Sequence, residues 1–216
     1  MKAGRASGRR RSAVMRAIAV LRVEGLASFW FKLVGELGFR RLLVQERLLA
    51  QPVPDVSPGL PVRIELLKDS ALDEYFAFRP EAAHNDISNR LQSGSLCFVA
   101  RHEGRVVSTC WTTRSRARTE YLGSEIAMAV GDVYLFDAFT AVAYRGNNVA
   151  HALCMTQLRY FQQAGYRRAI RATLPENRSA LRAHAKSGFQ PTRVIGRLKI
   201  GPWERAFERP WQGKLR

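Results

Sequence analysis

Residues Val133 to Ala150 read as a strand that empties through a polar turn straight into a helix. The first N–H groups of a helix have no partner inside it, and the helix dipole is positive at that end. Arg145 lies in the same turn, so the segment offers a cradle to a phosphate-sized anion. Upstream, Asp137 sits between Tyr134, Leu135, Phe136 and Phe139, in a strand apolar enough to be buried on both faces. A buried carboxylate is costly unless it is paired or neutralised. Asp137 therefore has two readings, a base that takes a proton from an attacking ammonium or the partner of an arginine. Downstream, His184 falls near the end of a second helix. Its ordinary pKa of about 6.5 lets it hold and release a proton near neutrality; a plain surface histidine is the other reading.

The elements that position these groups follow from periodicity. Residues 62–67 read as a strand, 69–78 and 82–92 as short helices broken at Arg79-Pro80, and 96–101 with 105–113 as a hairpin turning at Glu103-Gly104. Residues 114–131 are polar and carry no clear period. A strand at 133–140, a helix at 149–164 ended by Gly165, a strand at 168–174, a helix at 178–187 and strand segments near 191–200 complete the pattern. This is an α/β (α+β) chain with a mixed sheet of six or seven strands. Upstream, residues 1–50 read as a basic tail followed by an amphipathic helix over 13–37, and 51–61 as a Pro-rich linker. The main unit then runs from 62 to 205, with 206–216 as a C-terminal segment. The stretch Pro202 to Trp211 either folds over a substrate or packs structurally.

Composition narrows the classes. The chain has 216 residues and a formal net charge of +17. Residues 1–50 carry 11 Lys/Arg against 3 Asp/Glu, an excess of 8, and the remainder carries 24 against 15, an excess of 9. Such a field draws anionic partners: nucleic acid, anionic lipid, phosphorylated cofactors or an acidic protein. Basic residues are not interleaved with aromatics in the way a nucleic-acid face requires, which speaks against that partner. The amphipathic helix either lies on an anionic membrane surface or packs on its own domain. Cys97, Cys110 and Cys154 are widely spaced, odd in number and outside any metal-ligand pattern, so neither a disulfide framework nor a metal is expected. Arg16, Arg22 and Glu24 interrupt the first apolar stretch too early for a signal core. A cytoplasmic protein, peripheral at the membrane at most, is the expectation.

The turn Arg145-Gly146-Asn147-Asn148-Val149-Ala150, followed by Asn177-x-x-Ala180 and His184-x-x-x-Gly188-Phe189, resembles the GNAT N-acyltransferase superfamily over about residues 62–200. The family's turn reads Arg/Gln-x-x-Gly-x-Gly/Ala and holds the pyrophosphate of acetyl-CoA. Arg145 and Ala150 match, while Asn148 stands where glycine is expected. Asparagine tolerates left-handed dihedrals but adds side-chain bulk.

The resemblance implies a mostly antiparallel sheet flanked by about four helices, here with an N-terminal helical extension. It also implies an N-acyltransferase, in the first place an N-acetyltransferase, with acetyl-CoA or another acyl-CoA as co-substrate. Thr140, Ala141, Val142, Arg145, Gly146, Asn147, Asn148, Val149, Ala150 and Asn177 would bind the donor. His184 replaces the family's usual tyrosine and would protonate the departing thiolate, with Asp137 as the second catalytic candidate. Glu81 and His84, with Asp86, fall where the acceptor amine would bind; Glu120 and Glu125 are weaker candidates. Alternatives are a donor carried on an acidic acyl carrier protein, and a non-catalytic module binding membranes or polyanions. The acceptor is a small-molecule or peptide amine, and a homodimer is compatible with all of this.

Overall fold

The computed structural model describes residues 38–213. The basic tail and the helix expected over 13–37 lie outside the described residues. Two compact units divide the chain. One comprises residues 44–172 and 183–192, the other, among the described residues, 38–43, 173–182 and 193–213.

In the larger unit, strands β1 (Phe39–Leu48, its second half), β2 (Arg63–Leu66), β3 (Leu96–His102), β4 (Arg105–Thr113), β7 (Asp132–Thr140) and β8 (Arg168–Thr173) run in the order β1-β8-β7-β4-β3-β2. The pairs β2/β3, β3/β4 and β4/β7 are antiparallel, and β7/β8 is parallel. A separate short hairpin, β5 (Ala117–Thr119) with β6 (Ser124–Ile126), fills part of the stretch that had no readable period. Helices α1 (Leu72–Phe78), α2 (His84–Gln92) and α3 (Val149–Gln163) belong here, and α4 (Arg178–Lys186) enters with its last residues. β4 is buried on both faces after Arg105, as a central strand should be. One face carries Leu153, Cys154, Leu158 and Phe161 of α3 against Cys110, Leu135 and Phe189. The other carries Tyr75 and Ile87 against Trp111 and Val99, with the Trp111 indole donating to the Tyr75 hydroxyl.

In the smaller unit the start of β1 and the antiparallel pair β9 (Gln190–Ile200) and β10 (Trp203–Pro210) are strands, and Phe39 stacks on Phe207. Two expectations change here. Residues 39–48, expected to belong to the helical extension, form β1; its apolar run Leu42 to Val44 is buried, which a surface helix would not require. Residues 203–210, split between the main unit and a C-terminal segment, form β10, antiparallel to β9.

The Pro-rich segment 51–61, read as a linker, lies against the larger unit. Val53 and Val56 pack on the core, Arg159 of α3 donates to the Pro54 carbonyl and pairs with Asp55, and the Gly59 N–H donates to the Asn147 carbonyl at 2.8 Å.

Candidate active site

The turn between β7 and α3 is built around unusual backbone. A 3-10 turn at Val142–Tyr144 leads into Gly146 at φ +84° and Asn148 at φ +57°. The left-handed residue is therefore the asparagine that replaces glycine, one of the few side chains that accepts this region cheaply. Its bulk is directed to Lys186, whose Nζ donates to Asn148 Oδ1 at 2.6 Å. The Arg145 guanidinium is exposed and donates from Nε to the Thr140 carbonyl. The Tyr144 and Arg145 N–H groups are taken up by the Ala141 and Val142 carbonyls, and after Arg145 the N–H of Ala152 goes to the Asn148 carbonyl. The first N–H groups of α3 are the orphan donors of a helix start. A Cβ added at Gly146 would meet nothing within 4 Å, so the space over the turn is open. A helix start, open space at Gly146, Arg145 and Lys186 are the features an anion site would use.

β7 carries a bulge. Thr109 pairs with Phe139 and Trp111 with Phe136, so Asp137 and Ala138 together oppose Cys110. Asp137 adopts φ +46°, and an extra residue of this kind falls out of the regular ladder. Its carboxylate accepts Arg90 Nη1 at 2.6 Å and Arg79 Nη2 at 3.1 Å. Burial would raise the pKa of Asp137, but the hydrogen bond from Arg90 and the two positive charges outweigh it and hold the carboxyl below the usual range. Arg79 also pairs with Glu81 and lies over the Phe139 ring, and Arg90 lies over Trp111 and Phe136. Of the acceptor candidates, Glu81 thus joins the Asp137 cluster through Arg79. His84 is exposed and stacks on Phe76, with ring centroids 3.7 Å apart; Asp86 is exposed in the first turn of α2.

His184 is 8% exposed, and its Nδ1 is 2.6 Å from Gln45 Oε1. Burial, and then the charge of Arg171, push its pKa down to about 3. The ring is neutral at physiological pH and holds no imidazolium proton for a leaving thiolate. Further on, Gly188 has φ +77°, a left-handed conformation that favours glycine. In the smaller unit, Asn177 uses its side-chain oxygen to accept the Ala180 N–H at 3.1 Å and the Ser179 hydroxyl at 2.9 Å. It caps the start of α4.

The geometry brings together residues the sequence reading had not joined. Arg79 and Arg90 close on Asp137, Lys186 on Asn148, and the charge of Arg171 acts on His184. Arg171 left a legible signal: the alternation of Arg168 to Thr173 places it on the same face as Ala169, an inward position for an arginine. Lys186 left none.

A strand–turn–helix anion cradle, a bulged central strand beside it and a parallel neighbour β8 define an α/β acyltransferase-type fold. The model of the acetyltransferase (GNAT) family matches residues 64–189, and the chain belongs to that family. Solved structures of the same fold include a GCN5-related N-acetyltransferase from Sphaerobacter thermophilus (16% identity, 83% of this chain and 56% of that one, TM-score 0.54). They also include a glucosamine N-acetyltransferase region of a fungal multi-domain β-N-acetylglucosaminidase (15%, 82% and 22%, 0.56). A third is a GNAT-family protein from Novosphingobium aromaticivorans (19%, 74% and 65%, 0.50). The matched part of this chain thus spans less than two thirds of each of these three relatives. At such identities the likeness establishes the fold. No curated protein matches the chain in sequence.

Proposed function

We propose that the protein is an acyl-CoA-dependent N-acyltransferase, in the first place an N-acetyltransferase, that acts on a primary amine. One observation carries this reading. In the turn at 145–150, Asn148 takes the left-handed conformation with its side chain on Lys186, and the space at Gly146 is open. The N–H groups from Gly146 to Ala150 would hold the diphosphate, with Arg145 and Lys186 supplying positive charge. The bulge at Asp137–Ala138 would orient the acyl carbonyl through backbone N–H groups that the ladder does not use.

When bound, the donor supplies an activated carbonyl, and the amine displaces the thiol directly. Asp137, fixed by two guanidinium groups and held ionised, anchors α1 and α2 to β7. In that setting it is a weak base, and the amine proton passes to water. The test is release of free thiol from acetyl-CoA in the presence of a panel of primary amines: amino sugars, amino acids, polyamines and peptides with free N-termini. Amine-dependent release is expected with at least one class. No release with any of them, together with no binding of acetyl-CoA, overturns the reading.

A further inference from the structure

Arg171 is a buried cation of the larger unit that packing alone does not explain. It is 7% exposed, and no carboxylate lies within ion-pair distance of it among the described residues. Its Nη2 contacts Cys110 Sγ at 3.4 Å, its guanidinium lies 5.4 Å from the Phe189 ring centre, and its Nε has no hydrogen-bond partner. Burial pushes the Cys110 thiol up to about 11 and the Tyr134 phenol up to about 12, so neither supplies a counter-charge at neutral pH. A guanidinium stays charged regardless. An unpaired buried cation costs several kcal/mol, roughly, and persists where something else needs it.

Its position indicates what needs it. The parallel ladder between β7 and β8 runs only from Asp132/Arg168 to Tyr134/Ile170, and Arg171 is the next residue of β8, where the strands part. Cys110, which it touches, sits opposite the Asp137–Ala138 bulge and has its Sγ 3.7 Å from the Phe136 carbonyl. The guanidinium is thus one side chain from the bulge. Gln157 Oε1 and Gln45 Nε2 are also buried without partners, Gln157 being tied to the Cys110 carbonyl through its amide and Gln45 Oε1 facing His184. On the acyl-CoA reading, a donor's thioester would enter where the β7/β8 ladder ends, next to Arg171.

We propose that Arg171 binds the sulfur of the donor and stabilises the thiolate as it leaves, an assignment that rests on the acyl-CoA reading above. In the step, the amine nitrogen bonds to the acyl carbon and the C–S bond breaks with its electron pair on sulfur. The amine proton goes to water, and the thiolate, held against Arg171, is reprotonated by water. A fixed positive charge here does the work that a proton donor would otherwise do, and the neutral His184 beside it holds no imidazolium proton for that purpose.

The test is titration of the thiol of CoA bound to the full chain, followed by thiolate absorbance in the ultraviolet, which requires no turnover. Wild-type protein is expected to lower the bound thiol's pKa by at least one unit, a tenfold gain in thiolate at a given pH. Arg171→Met is expected to abolish that shift while still binding CoA, and Arg171→Lys to restore most of it. CoA that binds the wild type with an unshifted thiol overturns the assignment alone. So does a shift that survives in Arg171→Met. Absence of any CoA binding to the wild type overturns the acyl-CoA reading and this assignment with it.

Discussion

Asp137→Asn is the substitution that most cleanly separates an anchoring carboxylate from a catalytic base. Asparagine keeps the shape and tolerates the +46° φ, so what is lost is the charge. Two charge-assisted hydrogen bonds, at 2.6 and 3.1 Å, would each give way to a neutral one or to none. Breaking a fully buried pair costs roughly 3–5 kcal/mol, but this carboxylate is 26% exposed, which moves the figure down. Arg79 retains Glu81 and the Phe139 ring, and Arg90 retains Trp111 and Phe136. A loss of about 2–3 kcal/mol at pH 7 follows from hydrogen bonds to charged groups. For a domain of this size that corresponds to a melting point lower by roughly 4–12 °C.

The pH dependence has a definite sign. The folded pKa of Asp137 lies below its unfolded value, so its contribution is fully present above the unfolded value and is lost as pH falls through the folded one. The gap between wild type and Asp137→Asn should therefore be constant from pH 7 to about 5 and close below about pH 4. Thermal melts followed by circular dichroism across that range measure it. Unchanged melting in Asp137→Asn, with a turnover loss that traces a carboxylate pKa in the rate profile, would show that Asp137 is the base and that its arginines are not an anchor.

Three further outcomes follow from the same geometry. His184 is neutral when folded and protonates readily when unfolded, so stability should fall as pH drops below about 6.5, by about 1.4 kcal/mol per unit. His184→Gln should flatten that slope in acid denaturation profiles, and an unaltered slope would contradict the buried neutral ring. Asn148→Gly should leave the melting point nearly unchanged, whereas Asn148→Val, β-branched in the left-handed region, should cost about 1–2 kcal/mol by thermal melts; equal effects would refute the conformational account. Arg171→Met replaces an unpaired buried charge with an apolar chain of similar length and should raise stability by roughly 1–4 kcal/mol in urea titrations, a destabilised variant arguing for a purely structural arginine.

Much of the fold was legible because long periodic segments carry it: the hairpin β3/β4, the strand β7 and the helix α3 fall within a residue or two of their expected bounds. Residues 39–48 were not, because a short apolar run flanked by arginines reads alike as helix or strand, and its burial is decided by partners distant in sequence. β10 is mostly exposed, so it carries no buried face for an alternating pattern to mark. In the site, Arg145 and Asn148 were readable from local turn chemistry. The identity of Asp137's partner was not, since Arg79 and Arg90 lie 58 and 47 residues away and only packing brings them together. His184 shows the same limit from the other side: its type suggested a proton donor, while the burial and the Arg171 charge that lower its pKa come from packing its own helix does not reveal.

The central claim is that the turn at 145–150 holds the diphosphate of an acyl-CoA. Calorimetric titration of acetyl-CoA into wild-type protein and Arg145→Ala tests it most directly. The account predicts saturable binding to the wild type that weakens at least tenfold in the variant and falls with added salt. Equal affinity in the two proteins, or no binding to either, would contradict it.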